Sequence, residues 1–250
     1  MPNEMPAHWY EAYERGRPGY PLEALAAPGL PASAHVLDLG AGTGRLTRLL
    51  VSAFARVSAV EPDAQMRRRL AALSPRADLL VGSAEAIPVG DASVDGVFAA
   101  QSFHTFDQRR AIAEIARVLR PRGTVVLLWN VSAGSASPSI AAVHDLLDEH
   151  WPDEWDAIDL GLSYASRDWP REWQELFDGS AFGEIEEVRI ANPQTVDKDA
   201  LVAFFGSMGW IAELADERRV PLLDAVRSLL EAPEYVLPWE TRVHWARLAT

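Results

Sequence analysis

Apolar residues fall along this chain in two alternating rhythms. Ala34–Leu39, Val57–Glu61, Asp78–Gly82, Val94–Ala100 and Thr124–Trp129 are short, mostly apolar runs, and each predicts a buried strand. Between them apolar positions recur three and four apart. Leu46, Leu49, Leu50 and Ala53 predict a helix over Gly44–Phe54. Asp63 stands where a helix running to about Leu73 needs its N-cap. Asp107 does the same for a helix carrying Ile112, Ile115, Ala116 and Leu119 on one face, and Arg120-Pro121-Arg122-Gly123 stops it. Strands apolar on both faces, separated by helices, predict a parallel sheet covered on two sides and wound by right-handed crossovers.

The rhythm weakens after Asn130. Val131–Pro138 is rich in serine, alanine and glycine and reads as a loop. Residues 139–180 carry Trp151, Trp155, Trp169 and Trp173 with acids between them, a pattern of core and cap packing rather than a cation cage. Ile185, Val188 and Ile190 alternate and predict a sixth strand over 184–191. Residues 197–231 read as mostly helical, and Thr241–Leu248 as a seventh strand. The fold class is therefore α/β, a doubly wound and mostly parallel seven-stranded sheet. It forms one domain over residues 1–250, with an N-terminal arm over 1–30 and helical cap insertions over 131–180 and 193–235. In the arm, proline after Arg17 and after Tyr20 biases both residues to extended geometry, and a short helix is predicted over Leu22–Ala27.

Composition narrows the partners. The 250 residues include no cysteine, which removes disulfides, thiolate metal sites and a cysteine nucleophile. The net charge of −13 opposes a nucleic-acid or anionic-membrane partner. The one basic run, Arg67-Arg68-Arg69, reads as a solvated helix face. Met1–Pro6 has neither the basic region nor the apolar core of a secretory signal, and no apolar run is long enough to span a bilayer. A soluble cytoplasmic protein is expected, with no metal.

The chemistry concentrates at strand ends. Val36–Leu39 runs into Gly40-Ala41-Gly42-Thr43-Gly44, with Asp38 just before. Glycines allow close backbone approach, and a helix N-terminus that follows at once attracts negative charge. Dinucleotide sites space these glycines G-x-G-x-x-G; here the spacing is G-x-G-x-G. Glu61 closes the second strand, seventeen residues past Gly44, where a carboxylate can accept both hydrogens of a ribose diol. Gly82-Ser83-Ala84-Glu85 follows the third strand and Gln101-Ser102-Phe103-His104 the fourth. In a doubly wound sheet these ends converge on one crevice. His104 is the best general-base candidate, because imidazole titrates near neutrality.

The Asp38–Gly44 stretch resembles the first motif of the class I S-adenosylmethionine-dependent methyltransferases. Ala99–His104 and Tyr13–Pro21 resemble phrases of the branch that holds trans-aconitate-type small-molecule enzymes. The resemblance covers residues 13 to about 130. It implies a Rossmann-like methyltransferase fold, S-adenosylmethionine as cofactor and a small-molecule acceptor, with O-directed transfer to a carboxylate or hydroxyl. It also implies cofactor contacts from Arg17, Asp38, Gly40, Ala41, Gly42, Gly44, Glu61, Pro62, Met66, Ser83, Ala84, Glu85 and Gln101, with His104 as the catalytic candidate. As an alternative to the Arg17 contact, the same resemblance implies that Tyr13 and Tyr20 close over the site. Two positions depart from the pattern: Thr105 stands where the branch often has tryptophan, and Pro121-Arg122-Gly123 where the family usually has Pro-Gly-Gly.

Three rival readings are weaker. An NAD(P)-dependent oxidoreductase is opposed by the glycine spacing and, for NADP, by Glu61. Lys198 is the only lysine, and no tyrosine has a lysine four residues on. An RNA methyltransferase is opposed by the acidic charge. A non-catalytic binding protein on the same fold is opposed by the intact Asp38–Gly44 and Glu61 features. Transfer to carbon or nitrogen remains an alternative to oxygen.

Overall fold

The computed structural model describes residues 5–132, 137–151 and 172–249. Trp155 and Trp169 lie outside them. In chain order the elements are α1 (Ala7–Gly16), α2 (Glu23–Ala26), β1 (His35–Leu39), α3 (Arg45–Ala53), β2 (Arg56–Val60), α4 (Ala64–Leu73), β3 (Asp78–Leu80), β4 (Val94–Ala100), α5 (Gln108–Val118) and β5 (Leu119–Ser132). They continue with α6 (Pro138–Glu149), α7 (Glu172–Glu175), β6 (Glu186–Ala191), β7 (Gln194–Asp197), α8 (Lys198–Gly206), α9 (Gly209–Glu213), α10 (Asp216–Leu229), β8 (Glu234–Leu237) and β9 (Trp239–Arg247).

The chain divides into two compact units: residues 19–130, 170–190 and 241–250 form one, and residues 1–18, 131–169 and 191–240 the other. The first holds most of the seven-stranded sheet, ordered β3-β2-β1-β4-β5-β9-β6. β1 pairs in parallel with β2 and β4, β2 with β3, and β4 with β5. The winding reverses between β1 and β4, which is the switch point where doubly wound sheets take ligands. β1 and β2 bury all but their first residue, and β4 buries five of its seven positions, as strands covered on both faces must. Val36, Leu46, Leu50, Val57, Phe98, Val126 and Val243 share one core here.

The predicted starts of two helices are confirmed by their caps. The Asp63 carboxylate accepts from Met66 N–H at 2.6 Å, and Asp107 from Arg110 N–H at 3.3 Å. β5 begins at Leu119, as soon as α5 ends, earlier than the predicted Thr124. In the turn before its apolar run, Arg122 holds φ 64°, the left-handed region that glycine enters without strain. The departure from Pro-Gly-Gly thus falls on a residue that a glycine would suit.

The second unit has its own core of Val143, Leu147, Phe204, Phe205, Trp210, Val226, Tyr235 and Trp239. It contains α1, where the pattern had given only an arm. α1 and α8 approach so closely that a Cβ on Gly16 would lie 2.2 Å from the Phe204 backbone nitrogen. Trp9 Nε1–H donates to the Ser207 carbonyl at 2.9 Å. β7 and β8 pair antiparallel as a separate two-stranded sheet that the sequence pattern did not suggest.

Candidate functional site

The three glycines after β1 all hold positive φ (68°, 58° and 89° for Gly40, Gly42 and Gly44), but their surroundings differ. A Cβ on Gly40 would meet Ser102 Cβ at 2.8 Å, and one on Gly44 would meet Leu70 Cδ1 at 2.4 Å. Those two glycines let the turn pack against the β4 end and against α4. A Cβ on Gly42 would meet nothing closer than Met66 Sδ at 3.8 Å. Gly42 is therefore the open position of the turn. Gly40 N–H and Ala41 N–H both donate to the Val60 carbonyl, at 2.9 and 3.1 Å, which binds the turn to the end of β2.

That contact brings Glu61 to the turn. Its Oε2 accepts from Gly42 N–H at 2.8 Å and its Oε1 from Asp63 N–H at 2.8 Å. Each oxygen keeps a further lone-pair direction for another donor. Burial raises the Glu61 carboxyl above its usual range, against the opposing pull of the Asp63 and Gly42 N–H groups. Arg67 donates to the Glu61 carbonyl at 2.8 Å and to the Pro62 carbonyl. The first arginine of the basic run thus fastens the β2–α4 turn, a role the sequence reading of a solvated face did not include.

Asp38 is buried beneath the turn. The Thr47 hydroxyl, on α3, donates to its Oδ2 at 2.5 Å. Burial pushes this carboxyl up to about 7; the Thr47 hydrogen bonds oppose the shift and the Glu61 charge adds to it. Asp38 thus ties the glycine turn to the helix that follows it.

The other strand ends are braced by side chains. Glu85 Oε1 accepts from Asp107 N–H at 2.9 Å, at the start of α5. Burial would raise the Glu85 carboxyl, but bonds from Asp107 N–H and the Ser83 hydroxyl carry it below its usual range. Arg117 and Glu114 clamp the same loop: Arg117 donates to the Ile87 and Val89 carbonyls at 2.8 and 3.0 Å, and Glu114 accepts from Ile87 N–H at 2.9 Å. Ala84 is buried, Ser83 half-buried.

Gln101, the residue after β4, holds φ 53°. A non-glycine residue there stores strain of about 1–3 kcal/mol, which clusters at functional sites. Its N–H donates to the Leu128 carbonyl at 2.9 Å and its Nε2 to the Asn130 carbonyl at 3.0 Å. Ser102 Oγ then donates to the Leu39 carbonyl at 3.0 Å, fixing this segment against Gly40. Phe103 is fully buried beside Phe106, Trp173 and Phe177, so the half-buried His104 rides on a rigid aromatic base. Thr105, where the branch often has tryptophan, is exposed.

Arg17 belongs to the other unit. Its Nε donates to Ser207 Oγ at 2.8 Å and a terminal nitrogen to the Ser207 carbonyl at 2.9 Å, with the guanidinium over the Tyr13 and Phe204 rings. Sequence reasoning passed over Arg117, Glu114, Asn130 and Thr241. Asn130 follows the apolar run Val125–Trp129, so a polar residue after a buried run was there to be seen, although β5 continues through it to Ser132. No group of three or more His, Cys, Asp or Glu able to hold a metal occurs among the described residues, and no helix there is long and apolar enough to cross a membrane.

The sheet order and winding are those of the class I S-adenosylmethionine-dependent methyltransferase fold, and comparison with known proteins agrees. Residues 37–127 match the Methyltransferase domain family. An uncharacterized methyltransferase-like protein of Schizosaccharomyces pombe is 33% identical over 216 residues, 83% of this chain and 78% of that protein. The chain belongs to this family, and S-adenosylmethionine is the methyl donor that membership indicates. An uncharacterized methyltransferase of Mycobacterium tuberculosis is 54% identical over 120 residues, 48% of this chain and 49% of that protein. The match thus spans about half the length of that relative. A solved structure provisionally described as a type II methyltransferase, from Anaeromyxobacter dehalogenans, superposes with a TM-score of 0.66 at 28% identity, covering 94% of this chain and 99% of that one.

Proposed function

We propose that this chain transfers a methyl group from S-adenosylmethionine to an oxygen of a small-molecule acceptor, a carboxylate or a hydroxyl, in the cytoplasm. The observation that carries the cofactor half of this reading is the 2.8 Å hydrogen bond from Gly42 N–H to Glu61, which sets a carboxylate beside the one open glycine of the turn. A ribose diol and the bare backbone of Gly42 suit each other there. Met66 Sδ is the nearest atom on the open side of Gly42, and we assign Met66, Pro62, Ser83, Ala84 and Glu85 to the cofactor as well. Because Gln101 Nε2 is committed to the Asn130 carbonyl, its Oε1 is the side-chain atom left to accept from a ligand N–H or O–H.

The cofactor supplies an activated methyl on a sulfonium. Held there, it would pass that methyl from sulfur to the acceptor oxygen, the S–CH3 electron pair staying on sulfur, and leave as S-adenosylhomocysteine. The protein's contribution is alignment, which is worth roughly 7–11 kcal/mol when two reactants are held in register. A carboxylate acceptor has no proton to lose. A hydroxyl acceptor gives its proton to a base, and His104, at the end of β4, is the residue we assign to that role. The trans-aconitate-type resemblance of Ala99–His104 supports oxygen as the acceptor atom. By the same resemblance we assign Arg17 to the cofactor carboxylate. The stretches 131–180 and 193–235, where the resemblance fades, we assign to acceptor selection.

Calorimetric titration with S-adenosylmethionine and S-adenosylhomocysteine tests the first half of this reading. The second is tested by turnover to S-adenosylhomocysteine against carboxylate, phenol and amine acceptors. Binding in the micromolar range with methyl incorporation into an oxygen acceptor is expected. Folded protein that binds neither compound defeats the reading, and methylation of amines alone defeats its O-directed part.

A further inference from the structure

Asn130 sits where four segments meet, joined by hydrogen bonds of defined direction. Its Nδ2 donates to the Gly19 carbonyl at 3.0 Å. A carbonyl can only accept, so the amide is fixed with its oxygen on the opposite side. There Oδ1 accepts from the Thr241 hydroxyl, on β9, at 2.5 Å. The Asn130 backbone carbonyl accepts from Gln101 Nε2. Asn130 and Thr241 are both buried, at 1% and 0% exposure, so water cannot replace a lost partner.

The segment held by this network is the strained one. Gln101 keeps φ 53° with its backbone N–H on Leu128 and its side chain on Asn130. The next residue, Ser102, braces Leu39 and fills the space beside Gly40. A continuous path of contacts therefore runs from Thr241 through Asn130, Gln101 and Ser102 to the glycine turn, within one compact unit. Burying three directed polar connections beside a left-handed non-glycine residue is costly unless that conformation is needed.

We infer that Asn130 and Thr241 are positioning residues of the cofactor site: together they hold the Gln101–Ser102 turn, and the backbone at Gly19, in the geometry that binds the nucleoside. This inference rests on the S-adenosylmethionine reading above. Neither residue need touch the ligand. The Thr241 hydroxyl orients the Asn130 amide, and Asn130 orients the turn.

The test deletes the hydroxyl and then restores it. In full-length Thr241→Val the hydrogen bond from residue 241 to the Asn130 amide oxygen is deleted while side-chain shape is kept; Thr241→Ser returns the hydroxyl. S-adenosylhomocysteine binding is titrated by calorimetry well below the melting temperature of each variant. Hydrogen exchange of the peptide spanning residues 99–106 is followed alongside. We expect Thr241→Val to weaken binding about tenfold and speed exchange in that peptide, as the loss of one buried hydrogen bond would do. Thr241→Ser should bind within about twofold of the parent, a difference smaller than one hydrogen bond. Should valine prevent folding, Thr241→Ala carries the same deletion and the same expectation. A purely structural role would lower the melting temperature and leave affinity and the 99–106 exchange unchanged, and that result overturns the inference. So does Thr241→Ser binding as weakly as Thr241→Val. Parent protein that fails to bind S-adenosylhomocysteine strikes the functional reading instead, so the two failures are distinguishable.

Discussion

Replacing Asp38 by asparagine should change how stability depends on pH, in a direction the burial of this residue dictates. In the folded protein the carboxyl titrates at about 7, against an ordinary value of 3.8, because burial penalises its charged form. An acid raised on folding binds its proton more tightly in the folded state than in the unfolded one. Its contribution to stability is therefore greatest below pH 4, declines between pH 4 and 7, and is level above 7. A shift from 3.8 to about 7 corresponds to about 4 kcal/mol, at 1.36 kcal/mol for each pH unit. Asparagine keeps an acceptor for the Thr47 hydroxyl, 2.5 Å away in the parent, but cannot ionise. The stability of Asp38→Asn relative to the parent should consequently rise by up to about 4 kcal/mol between pH 4 and 7 and then stay level. Urea unfolding at half-unit pH steps measures both proteins, and subtracting the curves cancels the titrations they share. A difference that stays constant across this range, within about 0.5 kcal/mol, would refute the account of Asp38 as a carboxyl desolvated under the glycine turn.

Two glycines of the turn should respond differently to alanine. Gly44→Ala drives a Cβ into Leu70 at 2.4 Å and should cost about 2–3 kcal/mol in unfolding free energy, whereas Gly42→Ala meets only the strain of its 58° φ, about 1–2 kcal/mol. Gly42→Ala should nevertheless lose most of its S-adenosylhomocysteine affinity in calorimetry; unchanged affinity would show that the ligand does not approach Gly42. Arg117→Met frees the Ile87 and Val89 carbonyls and should speed hydrogen exchange across residues 83–93 at least severalfold, while equal exchange would mean that the loop holds itself. The His244 imidazole, buried beside Trp129 and Trp173, is lowered to about 4 by burial, which outweighs the Glu187 carboxylate 3.7 Å away and is aided by Arg242 and Arg189. Its contribution to stability is present above pH 6.5 and lost as pH falls toward 4, so its NMR titration should centre near 4; a midpoint near 6.5 contradicts its burial.

What could be read from the sequence was what local pattern controls. β1, α3 and β2 fall within a residue or so of their predicted bounds, because each is an apolar run or a 3.6-residue stripe closed by a residue with one clear function. Asp63 and Asp107 were legible as caps because capping acts over three residues. Glu61 could be placed near the glycine turn because a parallel sheet sets neighbouring strand ends side by side. What escaped depends on partners distant in the chain. α1 buries Trp9, Tyr10 and Gly16, and Trp9 finds its acceptor at Ser207, 198 residues away. β7 and β8 have four residues each, too few for alternation to register, and pair across an intervening stretch of helices. Asn130 and Thr241 are 111 residues apart, and nothing local marks their hydrogen bond.

The central claim is that Glu61 and the bare backbone of Gly42 grip the ribose of a sulfonium nucleoside. Titrating S-adenosylhomocysteine into the parent protein and into Glu61→Gln tests it most directly. The parent should bind and the variant should lose about a hundredfold in affinity. That loss corresponds to about 2.7 kcal/mol, the scale of hydrogen bonds to a charged acceptor. A folded Glu61→Gln protein that binds as tightly as its parent would contradict the account.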